Sequence, residues 1–332
     1  MNKRFLAGLG LAVAFGAACT SAPAPTLSTG LAQPAPTIPP PTATPQPTPT
    51  PFLTPQELAL AALSPTLPPP TLTPSPTATV DDPLWEDRTP GVERREIVVE
   101  EPYSGVLVKV YMVRLDPALI DFKVHYEPGK ANTISGWQAD TDALVVVNGG
   151  FFDEKFRTQG LAFVDGREYG EPIVKEDRIG IAGIFGVKDG AVSIVPFGRQ
   201  PPPPGTFDFD YATEAYPMLL MPGGLPAYGE ETGHAAERTV VAIDRSGRVI
   251  FMVIRADLFT LFGLSNMLAE LDELDLEIAL NLDGGKSSGM EVWAGPEHTH
   301  WNAKSVLPIA IAAYPKEGVS VVPRVDVTPV LK

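Results

Sequence analysis

Proline divides this chain in two. More than half of its 37 prolines lie before residue 85, in runs such as Pro39-Pro40-Pro41-Thr42 and Pro68-Pro69-Pro70-Thr71 set among Thr, Ala and Ser. Such a segment has too little apolar surface to offset the entropy of ordering it, and each proline removes a backbone donor. Residues 20–83 therefore predict a disordered tether biased to polyproline II, reaching at most roughly 190 Å at ~3.1 Å per residue. One interruption, Thr54-Pro55-Gln56-Glu57 before Leu58-Ala59-Leu60, has the form of a helix start. A helix that short is marginal in water and is read as a transient turn. Beyond the tether, about 220 residues from Val92 to Tyr314 are rich in Val, Ile, Leu and Gly, enough for one substantial core. The expected organisation is a linker over residues 19–84 followed by a single globular domain over residues 85–332.

The N-terminus places Lys3 and Arg4 before an apolar stretch from Phe5 to Ala18. That stretch is shorter than the ~20 residues needed to span a bilayer, so residues 1–18 read as a signal peptide. Cys19 is the only cysteine, which excludes an intramolecular disulfide and a Cys-based metal site. The run Gly16-Ala17-Ala18-Cys19 resembles a bacterial lipobox, with Gly where Leu is usual, and makes Cys19 the expected lipidation site. An exported lipoprotein is expected, held at the outer face of the cytoplasmic membrane and touching the membrane through that anchor only. The formal net charge of −15, with no Lys/Arg run longer than two, argues against nucleic acid as a partner. A small anion remains compatible if positive groups converge locally.

Within the domain, short apolar runs alternate with Gly, Pro and Asp, which is mostly a strand pattern. Expected strands include Val106 to Val113, Ile120 to Tyr126, Leu144 to Val147, Ile181 to Val187, Thr239 to Ile243, Val249 to Ile254, Ile278 to Leu282 and Pro308 to Ala313. Asp244 to Arg248 and Lys188-Asp189-Gly190 read as hairpin turns. One helix stands out, since Leu264, Met267, Leu268, Leu271 and Leu274 recur at helical spacing, with Ser265 as its expected cap. Too few helices alternate with strands for a doubly wound sheet, so the fold class is α+β with mixed or antiparallel sheets and few helices.

Two glycine-rich segments each follow an apolar strand: Asn148-Gly149-Gly150-Phe151-Phe152-Asp153, and Asn281-Leu282-Asp283-Gly284-Gly285-Lys286-Ser287-Ser288. Paired glycines at strand ends let backbone amides approach an anion closely. Between them lies Arg238-Thr239, and the arginine carries a planar fork that matches phosphate. His234 reads as a loop residue, and His298-Thr299-His300 as a surface loop rather than a chelate.

These motifs, together with Gly160-Leu161, the Asp165-Gly166 turn and Pro217 to Leu220, resemble the phosphodiester glycosidase family over about Val106 to Ala313. The family's pattern often has a proline where Glu237 stands and a small residue where Lys286 stands. The resemblance implies hydrolysis of a sugar-1-phosphodiester at the sugar C1–O bond, which needs a carboxylate near an oxocarbenium-like centre and donors for the phosphate. On that basis Asp283 is the leading catalytic carboxylate, or else a turn residue. Asp153 is the second carboxylate, or a loop brace. Arg238 is a phosphate ligand, or else one half of a buried or surface ion pair. Gly149, Gly150, Gly284, Gly285, Ser287 and Ser288 contribute to the anion site or merely shape turns, Lys286 adds positive charge or points to solvent, and Asn148 binds a sugar hydroxyl or pins the backbone. The expected partner is a sugar phosphate or phosphoglycan of the envelope. No cofactor is assigned and a divalent metal is left open. Two rival readings stay alongside: a glycan-binding lipoprotein without catalysis, and a metal-dependent phosphodiesterase using Asp153 and Asp283 as ligands.

Overall fold

Both hairpin turns form where the residues place them. In the computed structural model, which describes residues 84–173, 180–197, 203, 205–295 and 298–321, the strands at Ala236–Asp244 (β13) and Val249–Phe259 (β14) pair antiparallel across Asp244 to Arg248. Likewise Ala182–Lys188 (β8) pairs with Ala191–Phe197 (β9). The signal peptide, Cys19, the tether and the Thr54 turn lie outside the described residues.

The other strands are Glu86–Thr89 (β1), Val92–Glu100 (β2), Leu107–Leu115 (β3), Ile120–Tyr126 (β4), Val145–Asn148 (β5), Ala162–Val164 (β6), Arg167–Tyr169 (β7), Tyr211–Ala215 (β10), Met218–Met221 (β11), Leu225–Pro226 (β12), Leu276–Asn281 (β15), Met290–Val292 (β16), Thr299–Trp301 (β17) and Ile309–Pro315 (β18). They form three sheets: an eight-stranded one in the order β1-β2-β3-β14-β13-β15-β11-β12, and two five-stranded ones, β7-β6-β10-β8-β9 and β17-β16-β5-β18-β4. The strand pairs among the described residues are antiparallel. With only two α-helices among those residues, Ile134–Thr141 (α1) and Leu261–Glu270 (α2), the domain has the expected α+β class.

The large sheet is buried on both faces, which is why β13 and β14 read as unbroken apolar runs rather than alternating ones. Val241, Ile243, Phe251 and Val253 face a central core shared with Phe122, Val147, Phe185 and Ile311 from the smaller sheets. Their neighbours Val240, Ala242, Ile250 and Met252 face the opposite way, into a second core that also holds Leu219 and Leu220 of β11 and Leu264, Met267 and Leu268 of α2. Burying each Val, Leu, Ile or Met side chain of this second core contributes on the order of 1.5–3 kcal/mol, as an upper bound.

Helix α2 corrects the expected start. Thr260, not Ser265, is the cap, its Oγ1 accepting the Gly263 amide at 3.0 Å. Ser265 is fully buried one turn in, where its Oγ donates to the Leu219 carbonyl at 2.6 Å and accepts the Ala227 amide at 3.1 Å. Leu274 belongs to a separate 3₁₀ turn, Asp272–Leu274. Helix α1 was not legible, because eight residues with only Ile134 and Trp137 as apolar anchors show no period.

Candidate active site

The two glycine-rich segments meet at the ends of β5 and β15, in different sheets. The Asp283 amide donates to the Gly149 carbonyl at 3.1 Å, and the Asn148 side chain donates to the Asp283 carbonyl at 2.7 Å. Asn148 Oδ1 also accepts from Thr239 Oγ1 at 2.8 Å and from the Gly289 amide at 3.2 Å. It is 1% exposed: this side chain ties β5, β13 and the Asp283 turn together and is not among the residues that line the cleft beside it. A buried side chain with its polar atoms matched in this way stabilises a single arrangement of three chain segments.

Beside this junction opens a cleft of about 340 Å³, walled by Phe151, Tyr216, Arg238, Leu261, Asn281 and Asp283, with Gly284 and Gly285 at its edge. Asp283 is the one carboxylate among the described residues that line it. Burial raises its carboxyl from 3.8 to about 6, while hydrogen bonds from the Ser287 hydroxyl and the Gly284 amide, the latter at 2.9 Å, pull the other way. Ser287 therefore acts on the carboxylate rather than on a ligand.

Arg238 is 7% exposed. A β-bulge between Ala236 and Arg238 turns its side chain, and the backbone then fixes it: Nε donates to the Phe259 carbonyl at 3.0 Å and Nη2 to the His234 carbonyl at 2.7 Å. Both acceptors are neutral. Among the described residues no carboxylate lies within 4 Å of this guanidinium, and Asp283, across the cleft, does not pair with it. Burial pulls its pKa below the ordinary value, but an arginine remains charged. A desolvated cation held at two donors, in direct contact with no carboxylate and favoured only at longer range by Asp257, is the electrostatic centre of the cleft.

Other expectations require correction. The Gly149 amide is spent on the Ile309 carbonyl at 3.1 Å, and the Gly150 amide on Thr213 Oγ1 at 3.1 Å, so neither is free for an anion. Lys286 is exposed and off the lining, with its carbonyl held by the amides of Lys304 and Ser305. Ser288 is fully buried behind the turn. Asp153 lines a neighbouring hollow, where its carboxylate binds the Arg157 guanidinium and the amides of Lys155 and Arg157. The hydrogen bond from Arg157 holds that carboxyl below its ordinary value. Those contacts brace the loop from Asp153 to Arg157. His298 stacks on Trp293 and His300 on His298, at the short strand β17 rather than in a loop, and His298 bonds the buried Glu291 at 2.9 Å. Among the described residues no three His, Cys, Asp or Glu side chains converge on a common metal position.

Residues 141–310 match the sequence model of the phosphodiester glycosidase family. The chain belongs to this family. No curated protein matches it in sequence. Among solved structures, the catalytic domain of zebrafish N-acetylglucosamine-1-phosphodiester alpha-N-acetylglucosaminidase, auto-inhibited by its pro-peptide, aligns over 69% of this chain and 85% of its own at 16% identity and a TM-score of 0.51. A hypothetical protein from Synechocystis aligns over 71% of this chain and 64% of its own, at 15% identity and a TM-score of 0.49. A putative exported protein from Burkholderia pseudomallei aligns over 64% and 74%, at 13% identity and a TM-score of 0.42. At such identities the likeness is one of fold, and the family match supports a glycosidase-type function.

Sequence reasoning missed several walls of this phosphodiester glycosidase cleft. Tyr216 and Ile173 come from connections with no motif, and Leu261 opens helix α2. Asn281 opens the most specific motif in the chain, and its place in that motif was the signal available.

Proposed function

We propose that this phosphodiester glycosidase hydrolyses a sugar-1-phosphodiester, breaking the bond between the anomeric carbon and the bridging oxygen. The observation that carries the reading is that a part-buried carboxylate and a buried guanidinium line one cleft without pairing with each other. A diester of this kind presents two centres of opposite demand. Its phosphate needs a cation, and its anomeric carbon, as positive charge develops there, needs an anion.

Arg238 holds the phosphate oxygens by its cleft-facing donors. Asp283, mostly ionised above about pH 6, stands by the sugar and takes the proton of the attacking water. The C1–O electrons leave with the phosphate, which departs as a monoester and so needs little help from an acid. The products are a free sugar and a phosphomonoester. The export signal and tether read from the sequence support an envelope or extracellular phosphoglycan as the substrate, with Cys19 as the anchor.

The test uses the methyl diester of N-acetylglucosamine 1-phosphate in ¹⁸O-water. Label in the released sugar supports the mechanism. Label in the phosphate means P–O cleavage, and binding without turnover means a non-catalytic protein; either result sinks the proposal. Asp283→Asn and Arg238→Ala should each lose turnover while remaining folded.

A further inference from the structure

Asn281 ends β15 at the cleft wall and is 3% exposed. Its amide N–H is committed to the Pro217 carbonyl at 3.0 Å, and its side-chain Nδ2 donates to the Tyr216 carbonyl at 2.8 Å. That second bond fixes which end of the carboxamide is which. Turned over, Oδ1 would face another carbonyl oxygen at hydrogen-bond distance, with two acceptors opposed and no proton between them. Oδ1 therefore points away from Tyr216, and it is buried with no donor from the protein.

Five buried side-chain polar atoms among the described residues have no partner: those of Trp85, Arg95, Glu237, Ser288 and Asn281. Of these residues only Asn281 lines the cleft. A buried acceptor forgoes its water and gains nothing from the fold, so it is retained where a ligand completes it. The chemistry of that ligand group is constrained. An ionised phosphodiester has acceptor oxygens and no proton to donate, so Asn281 cannot serve the phosphate. The matching groups are the hydroxyls and amide N–H of a sugar.

We propose that Asn281 is a specificity residue whose Oδ1 accepts a hydrogen bond from one hydroxyl or amide N–H of the substrate sugar. The proposal rests on the reading that this cleft takes a sugar-1-phosphodiester, and it assigns the sugar side of the cleft to Asn281 and Asp283 and the phosphate side to Arg238. It also makes the enzyme selective by a polar group. A site built to bond a hydroxyl or N–H discriminates against the analogue lacking it, because its buried acceptor is then left unpaired.

The test is a series of methyl sugar-1-phosphodiesters: the N-acetylglucosamine parent and analogues each lacking one donor, namely the 3-, 4- and 6-deoxy sugars and the sugar with an ester in place of the amide. The full chain is assayed for kcat/KM, and the full chain carrying Asp283→Asn for Kd by calorimetry. One analogue should lose about ten- to a hundredfold in both. In Asn281→Ala the parent should fall to that analogue's level, and the analogue should lose nothing further. If every analogue stays within about threefold of the parent on the unaltered chain, the proposal is overturned, whatever becomes of the variant. Turnover with no analogue penalised overturns the acceptor and leaves the hydrolase reading intact. Binding with one analogue penalised but no turnover does the reverse. Failure of all these diesters to bind overturns both.

Discussion

Replacing Asp283 by asparagine should abolish activity and, at neutral pH, make the protein more stable. The cost of holding this carboxylate follows from its displacement. Burial raises the carboxyl from 3.8 to about 6, which at about 1.36 kcal/mol per pH unit comes to about 3 kcal/mol. The sign follows from proton counts. Between pH 3.8 and about 6 the folded chain keeps the proton that the unfolded chain has released, so this group's contribution to stability falls as pH rises through that window and is flat above it. An asparagine has the shape of the neutral acid and carries no charge to desolvate, although it accepts more weakly from Ser287 and Gly284. The expected gain of Asp283→Asn is therefore about 1–3 kcal/mol at pH 8, shrinking to near zero at pH 4. Urea unfolding at pH 4, 6 and 8 measures it, since with a slope of about 2–3 kcal/mol/M the midpoint at pH 8 should rise by roughly 0.5–1 M. The comparison must be a difference between the two proteins. Other carboxyls, such as Asp153 under Arg157 and Asp210 under the Asp189 amide, sit below their ordinary values and move total stability the opposite way with pH. A gap between variant and parent that is the same at pH 4 and pH 8 would refute the account of Asp283 as a buried, strained acid.

The same carboxyl should set the acid limb of the pH–rate profile, with kcat/KM rising as pH increases through about 6 because the ionised form is the active one; a limb near pH 4 would contradict it. Arg238→Ala should cost about 10²–10³ in kcat/KM, and Arg238→Lys should not restore it, because an ammonium cannot keep both carbonyl contacts and also reach a phosphate. Gly150→Ala should destabilise the fold by about 3 kcal/mol or more in urea titrations, since an added Cβ would stand 2.2 Å from the Glu214 carbonyl oxygen. Lys286→Ala and Asp153→Ala should each leave kcat/KM within about threefold, and a larger loss from either would return that residue to the catalytic machinery.

What could be read from the residues depended on whether burial follows a simple pattern. Strands β13, β14 and β15 were legible because both faces of the central sheet are apolar, so composition alone marks them. Strand β2, with the sequence Val-Glu-Arg-Arg-Glu-Ile-Val-Val-Glu, was not, because it lies near the edge of the large sheet with most of its side chains in contact with water. Strand β10 escaped for a different reason. It buries Thr213 and Glu214, residues that suggest a loop until the Glu214 carboxylate is seen accepting the amides of Leu161 and Ile173. At the site, Asp283 and Arg238 were legible as residue types suited to the two halves of a phosphodiester. Asp153 and Lys286 were indistinguishable from them in sequence, because a carboxylate at a turn and a lysine beside glycines look the same whether they face a cleft or a solvent-exposed loop.

The paired glycines carry the remaining argument. Their backbone amides suggested a phosphate cradle, but those of Gly149, Gly150 and Gly284 are taken by the protein itself. What these positions supply is the missing Cβ. An added one at Gly149 would meet the Ile309 side chain at 3.0 Å, and one at Gly284 would meet the Glu237 carbonyl oxygen at 2.9 Å. Neighbouring strand ends therefore come close enough for the Asp283 turn to lie against the strand bearing Arg238, yet each polar side chain keeps its own backbone restraints and the two side chains do not pair. Had the amides formed the anion site, removing one guanidinium would weaken phosphate binding only in part. Since those three are spent on the fold, the phosphate grip falls largely to Arg238, with Gly285 the remaining glycine of the four at the cleft lining, and the loss in Arg238→Ala should appear with any sugar attached to the phosphate.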